Sequence, residues 1–301
     1  MRCLVLAIAL CACGHAATNL EPPARAGGGS GTQAVAAPAD RVVALAGAAN
    51  ALCWDAATST LYLTDSNADS LLRWTDAGGL DTVGALPAGS AGISLGGIVK
   101  RGDGTVLVAS FGFGTQGTVF AMAGDATATA LTGLDPARRR IGLAQDPDGA
   151  LYSTYFVGGR DRAAGGVASL TIAGTTATET EIAGPFKKLV GLVATPTALY
   201  VSDQTQKVIF RISVPGFAVS QLAIVPKVDL LAILPDGDLL TGGGPTISRI
   251  SPNGSVTTLP APSFEQVHGL AYDPAGKRLF VVDHSATVGV PDKLHILALA
   301  D

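Results

Sequence analysis

A single turn, with an apolar strand before it and an alternating strand after it, recurs six times along this 301-residue chain. The recurrences are ALCWDAAT (51–58), GIVKRGDG (97–104), GLAQDPDG (142–149), GLVATPTA (191–198), LLAILPDG (230–237) and GLAYDPAG (269–276), starting 46, 45, 49, 39 and 39 residues apart. A repeat of this length fixes the architecture, because each unit buries its apolar faces only against its neighbours. The strands that follow are LYLTD, VLVAS, LYSTY, LYVSD, LLTGG and LFVVD, and the Asp, Pro and Gly between them supply the conformations a hairpin loop needs. A third strand closes each unit, as in LLRW (71–74) or VIFRI (208–212), and a fourth follows in five units, for example DTVGAL and SVTTLP. Four antiparallel strands at a period of about 44 residues predict an all-β fold, a six-bladed β-propeller. The 3.6-residue periodicity of a helical solenoid is missing from these segments.

The sixth unit stops at LALAD without its fourth strand, which leaves a sheet edge of unpaired backbone groups. Residues 41–46, RVVALA, lie just before the first repeat and belong to no other unit. They are expected to close the ring as the outer strand of the last blade, so that the propeller spans residues 40–301.

Upstream, Arg2 precedes an apolar run from Leu4 to Leu10, too short to span a bilayer but suited to a secretory signal. The run ends in Leu10-Cys11-Ala12-Cys13, which resembles the bacterial lipobox, so residues 1–13 are read as a lipoprotein signal with Cys13 as the lipidated residue. An ordinary signal cut near Ala16 or Ala17 is the alternative. Gly14 behind the lipidated Cys resembles outer-membrane sorting, and the expected location is the cell envelope, lipid-anchored at the outer membrane. Residues 14–39, rich in Pro, Gly and Ala, read as a flexible tether. Cys53 is the one cysteine outside the leader and is expected to be a small buried hydrophobe rather than a reactive thiol.

Hydrophobic residues make up 48% of the chain and charged ones 15%, which excludes disorder for its bulk. The formal charge of −4 offers no basic field to track a phosphate backbone, so nucleic acid is not an expected partner.

The repeat core, G-L-A-x-D-P-x-G followed by L-Y-V-x-D, resembles NHL-type propellers, and more specifically the gluconolactonase and regucalcin (senescence marker protein) family over about residues 41–301. The best local match is Asn50-Ala51-Leu52-Cys53-Trp54-Asp55 with Leu61-Tyr62. The resemblance implies a divalent metal, usually calcium, held at the funnel mouth by a Glu, two Asn and an Asp, and polarising a lactone or ester for attack by water. Asn50 occupies the position of the Glu, Val190 and the pair Arg140-Ile141 occupy those of the two Asn, and the Asp is kept as Asp229. A hard cation seeks six or more oxygens and several carboxylates. No metal or other cofactor is therefore expected, calcium entering only if the chain is a hydrolase of this type with a degenerate site.

In a propeller the links into the inner strands cross one face, so the residues just before each repeat meet at one mouth. They include Asn50, Gly96, Arg140-Ile141, Val190, Asp229 and His268, with Arg138, Arg139, Lys187, Lys188 and Glu265 slightly further back. Asn50, Arg140, Lys188, Asp229 and His268 are the expected ligand-binding residues, the basic ones for an anionic group. Asp65, Asp203 and Asp283 recur at the ends of second strands, where a carboxylate accepts backbone N–H bonds of the next turn. His268 and His284 both belong to the last unit and can share one face, but without a Cys or carboxylate at ligand spacing they do not read as a zinc site. Gly112-Phe113-Gly114-Thr115-Gln116-Gly117 matches a dinucleotide fingerprint and Gly92-Ile93-Ser94-Leu95-Gly96 a nucleophile elbow, yet neither sits in the strand–turn–helix context those motifs need. The expectation is an envelope-anchored, monomeric binding or scaffolding module that takes a small anionic ligand or an envelope protein at its funnel, touching the membrane only through its lipid. The alternative is a gluconolactonase-like lactonase or esterase using Asp229, His268 and Asn50.

Overall fold

The computed structural model describes residues 40–87, 94–112, 115–124, 127–158, 164–287 and 289–299. Cys13 and the segments read as signal and tether lie outside the described residues, as do Gly92 and Ile93 of the elbow-like motif and Phe113 and Gly114 of the fingerprint.

The first strand, β1 (Arg41–Ala44), precedes six runs of antiparallel strands. Blade 1 holds β2 (Ala49–Asp55), β3 (Thr60–Asp65), β4 (Ser70–Thr75) and β5 (Gly79–Ala85). Blade 2 holds β6 (Leu95–Lys100), β7 (Thr105–Ser110), β8 (Thr118–Ala123) and the two-residue β9 (Thr129–Ala130). Blade 3 is β10 (Arg139–Gln145), β11 (Leu151–Val157), β12 (Ala164–Ala173) and β13 (Thr176–Phe186). Blade 4 is β14 (Leu189–Ala194), β15 (Ala198–Asp203), β16 (Val208–Ser213) and β17 (Val219–Ile224). Blade 5 uses shorter strands, β18 (Leu231–Ile233), β19 (Leu239–Thr241), β20 (Ser248–Ile250) and β21 (Val256–Thr258). Blade 6 contributes β22 (Val267–Asp273), β23 (Arg278–Asp283) and β24 (Lys293–Ala298), and its outer strand is β1. Arg41 pairs with Ile296 and Val43 with Leu294, so the N-terminal strand closes the ring as the sequence predicts. The described residues contain no helix, and the fold is a six-bladed β-propeller.

Alternation along each strand sends side chains to both faces of its blade, where they pack between neighbours. Six buried clusters result, one for each blade–blade interface. At the closing interface Phe280 stacks on Trp54, with centroids 5.2 Å apart, and meets the edge of Trp74 at 5.6 Å. The inner strands β2, β6, β10, β14, β18 and β22 contact one another in a closed circuit around the axis. Leu52, Ile98, Leu143, Leu192, Leu231 and Leu270, one from each, constrict the channel to a cavity of about 40 Å³ and separate its two mouths.

The repeated Gly of the G-L-A core has a steric reason. A Cβ on Gly269 would lie 2.2 Å from the Asn50 carbonyl oxygen, and one on Gly191 would lie 2.7 Å from that of Asp229. Only a missing side chain lets adjacent inner strands approach this closely at the mouth.

Candidate functional site

The inner strands do not enter the sheet evenly. Five of them slip register where the mouth residues sit: between Ala49 and Leu52, Leu95 and Ile98, Arg140 and Leu143, Leu189 and Leu192, and Val267 and Leu270. A bulge of this kind leaves backbone groups unpaired and re-aims side chains. Hydroxyls of the second strands satisfy those groups. Thr154 Oγ1 accepts the Gly142 N–H at 2.8 Å and donates to the Val190 carbonyl at 3.1 Å. Ser202 Oγ accepts from Gly191 at 2.8 Å and donates to the Asp229 carbonyl at 2.6 Å. Thr64 accepts from Ala51, and Thr241 from Asp229 itself.

The mouth that results has two unlike arcs. Blades 5, 6 and 1 are consecutive around the ring and present Asp229, His268 and Asn50. Blades 2, 3 and 4 hold Gly96, Ile141 and Val190 at the matching positions, Val190 with its side chain buried. Asn50 is partly anchored, its Nδ2 donating to the Leu95 carbonyl at 2.6 Å. The Asp229 carboxyl is pushed up to about 7 by burial, although the Lys188 ammonium, the Leu230 N–H and the Gln204 side chain pull it down. His268 is pushed down to about 4, first by burial and then by the neighbouring His284, against Asp292 and Asp283. Near neutral pH the arc therefore holds a neutral imidazole beside a carboxyl that keeps its proton part of the time.

Arg140 departs from the sequence expectation. It is fully buried and turned away from the mouth, with Nη2 2.8 Å from both carboxylate oxygens of Glu179 on β13 and 3.4 Å from the Asp135 carbonyl. Arg138, in the link just before β10, joins the same carboxylates of blade 3, pairing with Glu179 at 3.0 Å and Glu181 at 3.3 Å. The basic side chains set against the mouth aromatics are Arg139, over Phe111 at 5.3 Å, and Lys188, over Phe156 at 5.7 Å. One step along β10 turns the side chain to the opposite face, and the sequence alone did not fix that register.

Asp203 and Asp65 accept N–H bonds of the turn that follows them, as the sequence predicts, whereas Asp283 accepts from Glu265 and Gln266 in the link into β22. Asp203 accepts backbone N–H groups of Lys187, Lys188, Thr205 and Gln206, and so fixes both the link into blade 4 and the turn after β15. Asp65 accepts from Asn67 and Ala68. Cys53 is partly buried among apolar neighbours, its thiol pushed up to about 11 mainly by burial, which leaves it protonated and unreactive.

Sequence reading overlooked Asp292, in the loop before β24. It is buried and accepts N–H bonds from Ala49 and Ser285, both at 3.0 Å, while its Oδ2 lies 3.0 Å from His284 Nδ1. The His284 ring in turn stacks on His268, with centroids 4.8 Å apart and planes 20° from parallel. The dipeptide Pro291-Asp292 reads as an ordinary turn, and no spacing ties it to His284.

The donor set implied for calcium does not fit. Ile141 and Val190 carry no oxygen in their side chains, Asn50 offers a neutral amide oxygen where the implied ligand is a carboxylate, and Asp229 is left as the one carboxylate among those four positions. Among the described residues, no three His, Cys, Asp or Glu side chains gather in a way that holds a metal ion.

No protein-family model matches the sequence, and no curated protein matches it. Among solved structures the chain is similar to a gluconolactonase from Xanthomonas campestris, at 19% identity and a TM-score of 0.66 over 85% of this chain and 89% of that one. It is similar to a luciferin-regenerating enzyme at 16% identity and a TM-score of 0.64, covering 86% of this chain and 95% of that one. A calcium-binding regucalcin from Agrobacterium tumefaciens gives 15% identity and a TM-score of 0.63 over 84% and 90%. At these identities the likeness establishes the fold, a six-bladed propeller of the shape that gluconolactonases and regucalcin share.

Proposed function

We propose that the bulged mouth is the active site of a hydrolase for small lactones or esters, working without a bound metal ion. The observation that carries this reading is the division of the mouth: Asp229, His268 and Asn50 on three consecutive inner strands, opposite Gly96, Ile141 and Val190 on the other three. An ester or lactone has the matching division, a carbonyl to be polarised and a hydrocarbon part to be kept from water. Protonated Asp229 and neutral His268 act as hydrogen-bond donors to the oxygen on which negative charge develops, in a partly desolvated setting where such donors are most effective. Lys188 lies close enough to Asp229 to act on its charge, and adds positive potential at the same side. The gluconolactonase and luciferin-regenerating enzyme among the similar structures support an enzyme over a scaffold.

Lys188 and Arg139 with their aromatic neighbours favour a second reading, an anion-binding module without turnover, which suits export to the cell envelope. The two readings separate in one assay. The full chain is offered small δ-lactones and p-nitrophenyl acetate in EDTA, beside the Asp229→Ala and His268→Ala variants. Removing one such donor is expected to lower kcat by about 10²–10³. Binding of small carboxylates with no turnover of any ester or lactone favours the module instead.

A further inference from the structure

The arc of donors polarises a carbonyl but supplies no base for the attacking water. Beside it, between the loop entering β24 and the link into β2, lies a cavity of about 600 Å³ lined by His284, Asp292, Gln266 and Asn67 among others. From the buried Asp292–His284 hydrogen bond and the stacking of His284 on His268, we infer that His284 is the general base that activates water for the reaction proposed above.

The geometry supports each part of that role. Asp292 has two backbone donors holding its carboxylate in place, and accepts from the Nδ1 side of the ring. That bond selects the tautomer with hydrogen on Nδ1 and leaves the Nε2 lone pair available, the arrangement that orients a catalytic imidazole. Nε2 makes no hydrogen bond to a described residue, and the side chain is 35% exposed and borders the cavity, so water reaches it. His268 fixes the plane of the ring from one face. Burial keeps His268 neutral, so the stack carries no fixed positive charge beside the His284 ring, and Asp292 lies 3.0 Å from its Nδ1 side. Charged groups near this unit include Asp283, which faces His268 and lies 3.5 Å from His295 Nε2, and Glu265, which accepts from Ser285 and Ala286 and pairs with Lys293 at 3.8 Å.

In the step itself, His284 Nε2 takes a proton from water as the water oxygen bonds to the carbonyl carbon. When the tetrahedral adduct collapses, the bond from carbon to the departing oxygen breaks and His284 returns the proton to that oxygen. Water is thereby added across the ester bond, and the imidazole ends as it began.

The inference rests on the hydrolase reading, and one experiment separates their failures. Steady-state hydrolysis of p-nitrophenyl acetate and of a small δ-lactone is followed in EDTA from pH 5 to 9 for the full chain, His284→Gln and His284→Ala. The expected result is a drop in kcat of about 10²–10³ in both variants with KM little changed, disappearance of the acid limb of the profile, and partial rescue of His284→Ala by free imidazole. Circular dichroism checks that both variants fold, which the exposure of His284 favours. Wild-type turnover that persists unchanged in His284→Gln overturns the inference and leaves the hydrolase reading standing. Absence of wild-type turnover on either substrate overturns both.

Discussion

Arg140 on the inner strand of blade 3 and Glu179 on its outer strand form a buried pair, with Nη2 2.8 Å from each carboxylate oxygen and the Arg140 side chain out of solvent. Glu179 also accepts the Asp135 N–H at 2.7 Å and an Arg138 N–H at 3.0 Å, so one carboxylate ties the link into blade 3 to that blade's outer strand. Truncating one member of a buried pair strands the other charge. Glu179→Ala is expected to cost about 3–5 kcal/mol in urea unfolding. A loss below about 1 kcal/mol would mean the pair contributes no more than an exposed salt bridge.

Asp229 and His268 predict opposite pH slopes in the same window. The folded Asp229 binds its proton up to about 7 while the unfolded chain releases it near 3.8, so this residue lowers stability as pH rises between those values. Asp229→Asn should therefore gain on wild type as pH rises, by up to about 4 kcal/mol above neutrality. His268 is held neutral down to about 4, whereas the unfolded imidazole protonates near 6.5, so it lowers stability as pH falls through that range. His268→Gln should gain on wild type toward acid pH, by up to about 3 kcal/mol. Urea midpoints at pH 4.5, 6 and 8, values chosen on the order of the window edges, check both signs; parallel curves for all three proteins would refute the shifts.

Gly269→Ala places a methyl 2.2 Å from the Asn50 carbonyl oxygen, and backbone rather than a flexible side chain must move. Overpacking of this sort costs about 1–3 kcal/mol. The thermal midpoint should fall, and any activity should fall further than stability explains, because the displaced carbonyl belongs to a mouth residue. Gly102→Ala, where a Cβ meets nothing within 4 Å, is the matched control.

Calcium offers a separate check. With Ile141 and Val190 in two of the implied ligand positions, neither millimolar calcium nor EDTA should move the thermal midpoint. A ligand at 100 times its Kd adds about 2.7 kcal/mol, so a rise of several degrees with calcium would show a site that these residues do not explain.

Much of the architecture was legible in the sequence because a propeller blade is local: the hairpin turns, the alternation and the six-fold period all lie within neighbouring residues. The closing strand was legible for a complementary reason, since the sixth unit lacked a strand and Arg41–Ala44 had no other home. The mouth was harder. Asn50, Asp229 and His268 fall where the strand starts place them, but the register slip in β10 buries Arg140 and sets Arg139 against the mouth aromatics. Asp292 was invisible because its meaning depends on a loop folding back onto His284 and on the Ala49 N–H, 243 residues away.

Hydrolysis of a small δ-lactone by the full chain in EDTA, followed by pH-stat for wild type, Asp229→Asn and Asp229→Ala, tests the central claim most directly. Wild type should turn over without metal, with a rate that declines as pH rises through about 7 and the Asp229 carboxyl loses its proton. Asp229→Asn, which keeps a donor but cannot titrate, should retain most of the rate without that decline. Asp229→Ala should lose about 10²–10³. No turnover by wild type, or turnover that appears only on adding calcium, would contradict the account.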